Sequence, residues 1–177
     1  MKSLLQDVAR VLISTEDLQR RVHELADQIS ADYQDQNPLL VCVLKGGYVF
    51  LADLTRAMSI NHGVDFMAIS SYSSGTVSSG VVRILKDLDR DISGRHVLLV
   101  EDIIDTGRTM TRLIQHLKSF GPNSIRVCVF IEKYERREVD YKADYACYSV
   151  EGGFLVGYGL DYAEKYRNLP ALYHLNF

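Results

Sequence analysis

The feature that most constrains this chain is the unit between residues 96 and 117. An apolar run that ends at Val100 is followed directly by two adjacent acids, Glu101 and Asp102, and a third acid, Asp105, comes shortly after. A small polar loop with one glycine follows, and an amphipathic run with helical spacing begins at once. This order predicts a strand, an acidic turn and a helix, the repeating unit of α/β folds.

The polar loop of this unit, Thr106-Gly107-Arg108-Thr109, has the composition of a phosphate-binding turn. At the start of a helix the backbone N–H groups are unpaired and the helix dipole adds partial positive charge. The nucleoside-triphosphate pattern G-x-x-x-x-G-K-[ST] is absent from the sequence. The two adjacent carboxylates repel each other, which favours a role in holding a ribose diol or Mg²⁺. A turn that only caps a helix is the alternative.

Apolar periodicity elsewhere predicts one α/β domain with a mainly parallel sheet and helices on both faces. Ser14 opens the first helix, with Asp17 at capping-box spacing. A second helix is expected over 48–58. The remaining predicted strands are 39–44, 64–72, 81–85, 125–131, 145–150 and a short apolar segment at 154–158. Ligands bind at the carboxyl ends of strands in such sheets.

Composition excludes several classes of protein. A net charge of −3 over 177 residues argues against general nucleic-acid binding. No apolar run reaches the ~20 residues of a membrane span, and Asp7 and Arg10 interrupt the only apolar stretch near the N-terminus. The three cysteines are odd in number and irregularly spaced, which favours reduced thiols over disulfides. We therefore expect a cytoplasmic protein that binds neither membranes nor nucleic acid.

The segment from Val100 to Thr109 is similar to the phosphoribosyl-pyrophosphate (PRPP) motif of the type I phosphoribosyltransferases. From about residue 11 to about residue 169, the chain resembles the hypoxanthine (hypoxanthine-guanine) phosphoribosyltransferases of that family. The further positions that carry the resemblance are Leu44, Lys45, Gly46, Gly47, Ser71, Tyr72, Lys133, Arg136, Arg137, residues 154–162 and Arg167.

This resemblance implies a single domain, 1–177, with the type I phosphoribosyltransferase fold: a mainly parallel central sheet flanked by helices. It also implies a small hood made from the N-terminal and C-terminal segments, and a flexible lid at about 71–81 that carries Ser71 and Tyr72. The implied reaction is purine salvage: transfer of the 5-phosphoribosyl group from PRPP to hypoxanthine and guanine, which gives IMP or GMP and pyrophosphate. The implied cofactor is Mg²⁺, and the implied assembly is a homodimer or homotetramer.

The resemblance also assigns roles on the sugar-phosphate side. Asp105 would be the general base at the purine N7 position, and Glu101 and Asp102 would bind the ribose hydroxyls and one Mg²⁺. The 5′-phosphate would be held by Thr106, Gly107, Arg108 and Thr109. Lys45 and Gly46 would belong to a pyrophosphate loop with a non-proline cis peptide bond between Leu44 and Lys45, and Arg167 would contact the pyrophosphate. Read from the residues alone, Lys45-Gly46-Gly47 is also compatible with a plain flexible turn.

On the base side, the resemblance places Lys133 at the purine 6-position, where a residue that only donates favours an oxo group over an amino group. Phe154 would stack on the purine, and Leu155 would present backbone groups to its edge. Asp161 would bind the second Mg²⁺. From the residues alone, Lys133 could instead be an ordinary surface lysine and Phe154 a core aromatic residue. Asp161 and Arg167 could be a solvated ion pair.

The chain departs from the family pattern at two places: Arg108 stands where many relatives carry Lys, and Tyr134-Glu135 stands where they often carry Pro-Ser. Two further functions remain open at this point. One is a transferase of the same fold that prefers xanthine or a pyrimidine. The other is a non-catalytic regulator that senses nucleotides or binds RNA. The sequence does not rank hypoxanthine, guanine and xanthine.

Overall fold

The computed structural model describes residues 8–71 and 82–175, which form two sheets and three helices. The strands are β1 (Val8–Ile13), β2 (Leu39–Leu44), β3 (Gly63–Ser71), β4 (Val82–Lys86), β5 (His96–Ile104), β6 (Ser124–Lys133), β7 (Tyr145–Val150), β8 (Leu155–Val156) and β9 (Leu172–Leu175). The helices are α1 (Thr15–Asp32), α2 (Tyr48–Ala57) and α3 (Arg108–Lys118).

The larger sheet has six strands in the order β4-β3-β2-β5-β6-β7. The neighbouring strands from β3 to β7 are parallel, and the edge strand β4 is antiparallel to β3. The mainly parallel sheet predicted from the sequence is therefore confirmed. Since parallel strands end at the same edge, the carboxyl ends of β2, β5 and β6 lie side by side there, where ligands bind in sheets of this kind.

Both faces of the larger sheet are apolar and covered. Leu40 and Cys42 of β2 belong to the core shared with α1 and α2, whereas Leu39 and Val41 belong to the core shared with α3. This alternation follows from the period of two along a strand, and a strand buried on both faces reads as a continuous apolar run. Helices therefore cover both faces of the larger sheet, as predicted.

Ser14 begins α1 as predicted. Its hydroxyl accepts a hydrogen bond from the Asp17 backbone N–H at 3.1 Å and donates one to the Asp17 carboxylate at 3.0 Å. The arrangement satisfies one of the unpaired N–H groups of the first turn. The apolar side of α1 is then buried, with Leu18, Val22, Leu25, Ala26 and Ile29 in the core.

The smaller sheet has three strands in the order β1-β9-β8, all antiparallel. It joins the two ends of the described chain, with Ile13 beside Leu172 and Val11 beside Tyr173. Periodicity predicted neither β1 nor β9, because both are short and each depends on a partner at the far end of the chain.

The three cysteines are buried free thiols, as predicted. Burial raises the pKa values of Cys42 and Cys128 above the usual thiol range, and that of Cys147 to about 12. A search of the described residues finds no helix with the length and apolar character that crossing a membrane requires.

Candidate active site

The acids predicted to follow a strand lie inside it. β5 continues four residues beyond Val100, so that Glu101 and Asp102 belong to the strand. Parallel pairing with β6 holds this extension, in which Ile104 lies beside Glu132. The predicted strand end at Val100 was wrong because acids disfavour strands only weakly, and continued pairing with β6 outweighs that preference.

A cavity of about 270 Å³ lies where β5 ends and α3 begins. We call it the β5–α3 cavity. Its lining consists of Ile69, Glu101, Asp102, Ile103, Ile104, Asp105, Thr106, Gly107, Thr109 and Met110. The three acids therefore share one cavity with three of the four loop residues predicted to hold a phosphate.

The acids of this cavity are buried or partly buried, and they have no cationic partners among the described residues. Glu101 is 7% exposed, and no ion pair among the described residues includes Glu101, Asp102 or Asp105. Burial and the neighbouring Asp102 raise the pKa of Glu101 well above the usual carboxyl range, and burial raises the pKa of Asp102. Buried carboxylates of this kind are stabilised when a cation or a set of hydrogen-bond donors binds them.

Asp105 lies in the turn between β5 and α3, and its Oδ1 atom is buried with no hydrogen-bond partner. The residue that precedes α3 is Gly107, which has no side chain to cap the helix, and the Thr106 hydroxyl accepts a hydrogen bond from the Arg108 backbone N–H at 3.3 Å. Asp105 therefore does not serve as a helix cap, which was the structural alternative for it. An unpartnered buried acceptor is uncommon and is a candidate for a ligand-binding atom.

A second cavity, of about 490 Å³, adjoins the first. We call it the β6–β8 cavity. Its lining consists of Asp102, Ile103, Asp105, Lys133, Glu135, Arg136, Gly153, Phe154, Leu155, Leu160, Asp161 and Leu175. Asp102, Ile103 and Asp105 line both cavities, so that Asp105 stands at their shared wall.

Lys133 is the last residue of β6 and is 8% exposed, which excludes a solvated surface lysine. Its Nζ lies 3.5 Å from Glu135 Oε2. The Glu135 carboxylate also accepts a hydrogen bond from the Gly153 backbone N–H at 3.2 Å. The hydrogen bond from Gly153 and the nearby Lys133 ammonium lower the pKa of Glu135.

Phe154 is 41% exposed, which excludes the alternative interpretation that it is a core aromatic residue. Its ring meets that of Tyr162 edge-on, with centroids 5.3 Å apart. Leu155, the first residue of β8, is buried and lines the same cavity. Phe154 and Leu155 therefore line one cavity together with Lys133 and Asp161.

The turn Lys45-Gly46-Gly47 fits closely against β5. The peptide bond between Leu44 and Lys45 is cis, as the resemblance implies. A Cβ atom on Gly46 would overlap the Asp102 carboxylate, so that no other residue fits there without displacing one of the two. This contact excludes the plain flexible turn and places the 45–47 backbone beside the acids of β5.

The segment that follows β8 brings further charged side chains close to the 45–47 turn. Arg167 Nη2 lies 2.8 Å from Asp161 Oδ1, and Arg167 Nη1 donates to the Gly159 carbonyl at 2.8 Å. Lys45 Nζ lies 3.2 Å from Glu164 Oε2, and Glu164 Oε1 also lies 3.4 Å from Arg167 Nη2. Asp161 and Arg167 are both more buried than exposed, so that they are not the solvated pair of the alternative interpretation.

Two predicted groups of site residues stand apart from this arrangement. The Arg108 guanidinium pairs with Glu138, and Arg108 does not line either cavity. Ser71 is the last residue of β3, but its side chain, Tyr72 and the remainder of the predicted lid lie outside the described residues.

Sequence reasoning assigned no site role to three charged residues that the fold brings to the site. Glu135 and Arg136 line the β6–β8 cavity, and Glu164 joins Lys45 to Arg167. The replacement of Pro-Ser by Tyr134-Glu135 was a signal that could have identified Glu135. Glu164 gave no comparable signal, because its partner Lys45 is distant in the chain.

The comparisons with known proteins agree with this geometry. The model of the phosphoribosyl transferase domain matches residues 14–163. A hypoxanthine-guanine phosphoribosyltransferase of Streptococcus thermophilus is 50% identical over 167 residues, which are 94% of this chain and 93% of the relative.

Two solved structures are also similar to this chain. A hypoxanthine phosphoribosyltransferase from Staphylococcus aureus has a TM-score of 0.94 and 39% identity, covering 98% of this chain and 95% of that one. A hypoxanthine-guanine phosphoribosyltransferase from Bacillus anthracis has a TM-score of 0.90 and 41% identity, covering 97% and 99%. The chain therefore belongs to the hypoxanthine-guanine phosphoribosyltransferase family of purine-salvage enzymes.

Proposed function

We propose that the two adjoining cavities form one active site, with PRPP in the β5–α3 cavity and a 6-oxopurine in the β6–β8 cavity. The enzyme transfers the 5-phosphoribosyl group of PRPP to hypoxanthine or guanine and releases pyrophosphate. The observation that carries the proposal is that Asp105 lines both cavities and that its buried Oδ1 atom has no hydrogen-bond partner.

In the reaction, a purine ring nitrogen forms a bond to the anomeric carbon as that carbon loses pyrophosphate. The sugar gains positive charge in the transition state, so that preorganised negative groups stabilise it. Asp105, which lines both cavities, would accept the proton at the purine N7 position. Thr106, Gly107 and Thr109 would hold the 5′-phosphate at the start of α3, where backbone N–H groups are unpaired.

The carboxylates fit Mg²⁺ as a cofactor. Among the described residues, no three His, Cys, Asp or Glu side chains converge on one point as a protein-only metal site. Mg²⁺ is usually held by one or two carboxylates together with substrate phosphates and water. Glu101 and Asp102 would therefore support one ion, and Asp161 the second. The chemistry that Mg²⁺ would supply when bound is neutralisation of charge on the departing pyrophosphate.

Lys45, Gly46 and Arg167 would bind the pyrophosphate. The backbone of the 45–47 turn lies against Asp102, and the Arg167 guanidinium pairs with Asp161, so that this turn and one cation stand beside acids proposed to hold metal. Arg108 would contribute charge near the 5′-phosphate once its pairing with Glu138 is broken. On the base side, Lys133 would donate to the 6-oxo group, Phe154 would stack on the ring, and the Leu155 backbone would contact its edge.

The smaller sheet would serve as the hood over the base, because Leu155 of β8 and Leu175 of β9 line the β6–β8 cavity. We also propose a homodimer or homotetramer, as the family resemblance implies, and light scattering of the purified enzyme tests it. Three buried free thiols support action in the reducing cytoplasm.

A direct assay tests the proposed site. Purified enzyme supplied with PRPP, Mg²⁺ and hypoxanthine should release one pyrophosphate for each IMP formed, and removal of Mg²⁺ with a chelator should stop the release. Asp161→Asn should raise the Mg²⁺ concentration needed for half-maximal rate more than the hypoxanthine KM. An unchanged Mg²⁺ requirement in that variant would remove Asp161 from the metal site.

A further inference from the structure

The charges that line the β6–β8 cavity are unequal. Four acids line it, Asp102, Asp105, Glu135 and Asp161, against two basic residues, Lys133 and Arg136. Three of these acids already have proposed roles with the sugar, the metal or the proton. Glu135 has none, although it lies nearest to the cation proposed to recognise the base.

Glu135 connects the Lys133 ammonium to the backbone that leads to Phe154. Its Oε2 atom lies 3.5 Å from Lys133 Nζ and 3.2 Å from the Gly153 nitrogen, which donates to it. Its own backbone N–H donates to the Glu151 carbonyl at 2.9 Å, which fixes the start of the side chain against the neighbouring segment. A Cβ on Gly152 would lie 2.5 Å from the same Oε2 atom, so that the carboxylate fits directly against this turn.

This position has two consequences for the base. A lysine ammonium has three donors, and if Glu135 accepts one of them, the remaining two can point at the 6-oxo group. The carboxylate also compensates the charge of Lys133. Without that compensation, the buried ammonium would attract an anionic base more strongly than a neutral one.

We propose that Glu135 is a specificity-determining residue, which orients Lys133 and offsets its charge so that the cavity accepts neutral 6-oxopurines and disfavours anionic ones. The distinction matters chemically because xanthine loses a ring proton near neutral pH, whereas hypoxanthine and guanine stay neutral there. The inference rests on the proposed role of Lys133 at the 6-position.

The test compares Glu135→Gln with the unaltered full-length enzyme at saturating PRPP and Mg²⁺. Glutamine keeps an oxygen that can accept from Gly153 and removes the charge. We expect the ratio of kcat/KM for xanthine to kcat/KM for hypoxanthine to rise about fivefold or more, and the PRPP KM to stay the same. The rise should grow between pH 6.5 and pH 8.5, because more xanthine is anionic at the higher pH.

Two further variants complete the design. Glu135→Asp keeps the charge on a shorter side chain, so that the xanthine ratio should stay near that of the unaltered enzyme while the hypoxanthine KM rises. Glu151→Gln removes an exposed acid beside the same turn and should change neither quantity. A ratio within twofold of the unaltered enzyme in Glu135→Gln, or an equal rise in Glu151→Gln, would overturn the inference.

Lys133→Met separates this inference from the proposal beneath it. It should raise the hypoxanthine KM with or without the Glu135 substitution. If it leaves that KM unchanged, the role of Lys133 is refuted and the inference is refuted with it. If Lys133→Met raises the KM and Glu135→Gln leaves the xanthine ratio unchanged, the inference alone is refuted.

Discussion

Two acidic regions of this molecule are stabilised in opposite ways. In β5 and the turn after it, Glu101 is buried, Asp102 and Asp105 are partly buried, and none of the three belongs to an ion pair among the described residues. In the segment after β8, Asp161 and Glu164 are already paired with cations. In the proposed site, the first region would gain its counter-charge when substrate and metal bind, whereas the second contains its own.

This difference explains how both regions can serve one reaction. Unpaired buried acids cost stability in the free enzyme and gain it on binding, so that they add to affinity for a cation-bearing ligand. In the proposed site, Asp161 would hold Arg167 in place before pyrophosphate arrives. The exposed pair of Glu164 with Lys45 is weak, and pyrophosphate would displace the carboxylate from it. In the proposed site, one region would therefore supply binding energy and the other would supply preorganisation.

The largest effect is expected for Asp105→Asn, which removes the basic carboxylate and keeps the shape of the side chain. We expect kcat to fall about 10²- to 10⁴-fold, the range for loss of a general base, with the PRPP KM changed by less than about threefold. Steady-state kinetics with hypoxanthine measure both constants. Asp140→Asn, an exposed acid after the 136–137 arginine pair, is the control and should keep full activity. A kcat near that of the unaltered enzyme in Asp105→Asn would contradict the role of Asp105.

The next effect comes from Gly46→Ala, which forces the 45–47 turn and Asp102 apart. A displacement of about 1 Å in a positioned group can cost about 10²-fold, so that we expect kcat/KM for PRPP to fall by about that factor. The fall should appear in kcat/KM for PRPP rather than in kcat/KM for hypoxanthine. Gly94→Ala is the matched control: its φ of 68° makes the substitution strained, but a Cβ there meets no atom within 4 Å. It should lower Tm and leave the PRPP KM unchanged. If Gly46→Ala leaves kcat/KM for PRPP unchanged, the close fit of this turn has no functional role.

How far the sequence predicts this site depends on the distance between its parts. Asp105 and its loop form one local segment, and a strand followed by acids, Gly and Thr identifies them. The contact between Lys45 and Glu164 joins residues 119 positions apart, and no local periodicity reports such a contact. Glu135 is intermediate, since its position was noticed as a departure and its two partners became clear only from the fold.

A smaller effect concerns stability against pH in enzyme without Mg²⁺ or PRPP. Burial raises the pKa values of Glu101 and Asp102, so that the folded state binds more protons than the unfolded state above the usual carboxyl range. Their contribution to stability therefore falls as pH rises from that range toward the raised values. Glu101→Gln and Asp102→Asn should each raise Tm at pH 7.5, by about 2–4 °C for each kcal/mol gained, and raise it less at pH 5. Calorimetry measures the shifts, and a lower Tm in both variants at pH 7.5 would contradict the account.

The smallest effect is expected for Glu164→Gln, because the pair with Lys45 is exposed. Such pairs contribute about 0.2–1 kcal/mol, so that we expect the PRPP KM to change by no more than about fivefold. The direction should be downward, since Lys45 is then free of a competing carboxylate. Glu24→Gln breaks an exposed pair with Arg21 on α1 and is the matched control. A rise in the PRPP KM would show that Glu164 orients Lys45 rather than competing for it.

The measurement that tests the central claim most directly is a crystal structure of the enzyme with IMP, pyrophosphate and Mg²⁺. The account predicts the 5′-phosphate at Thr106, Gly107 and Thr109, hypoxanthine between Lys133 and Phe154, and the purine N7 atom within hydrogen-bond distance of Asp105. A nucleotide bound elsewhere, or one whose base and phosphate do not occupy these two cavities with Asp105 between them, would contradict it.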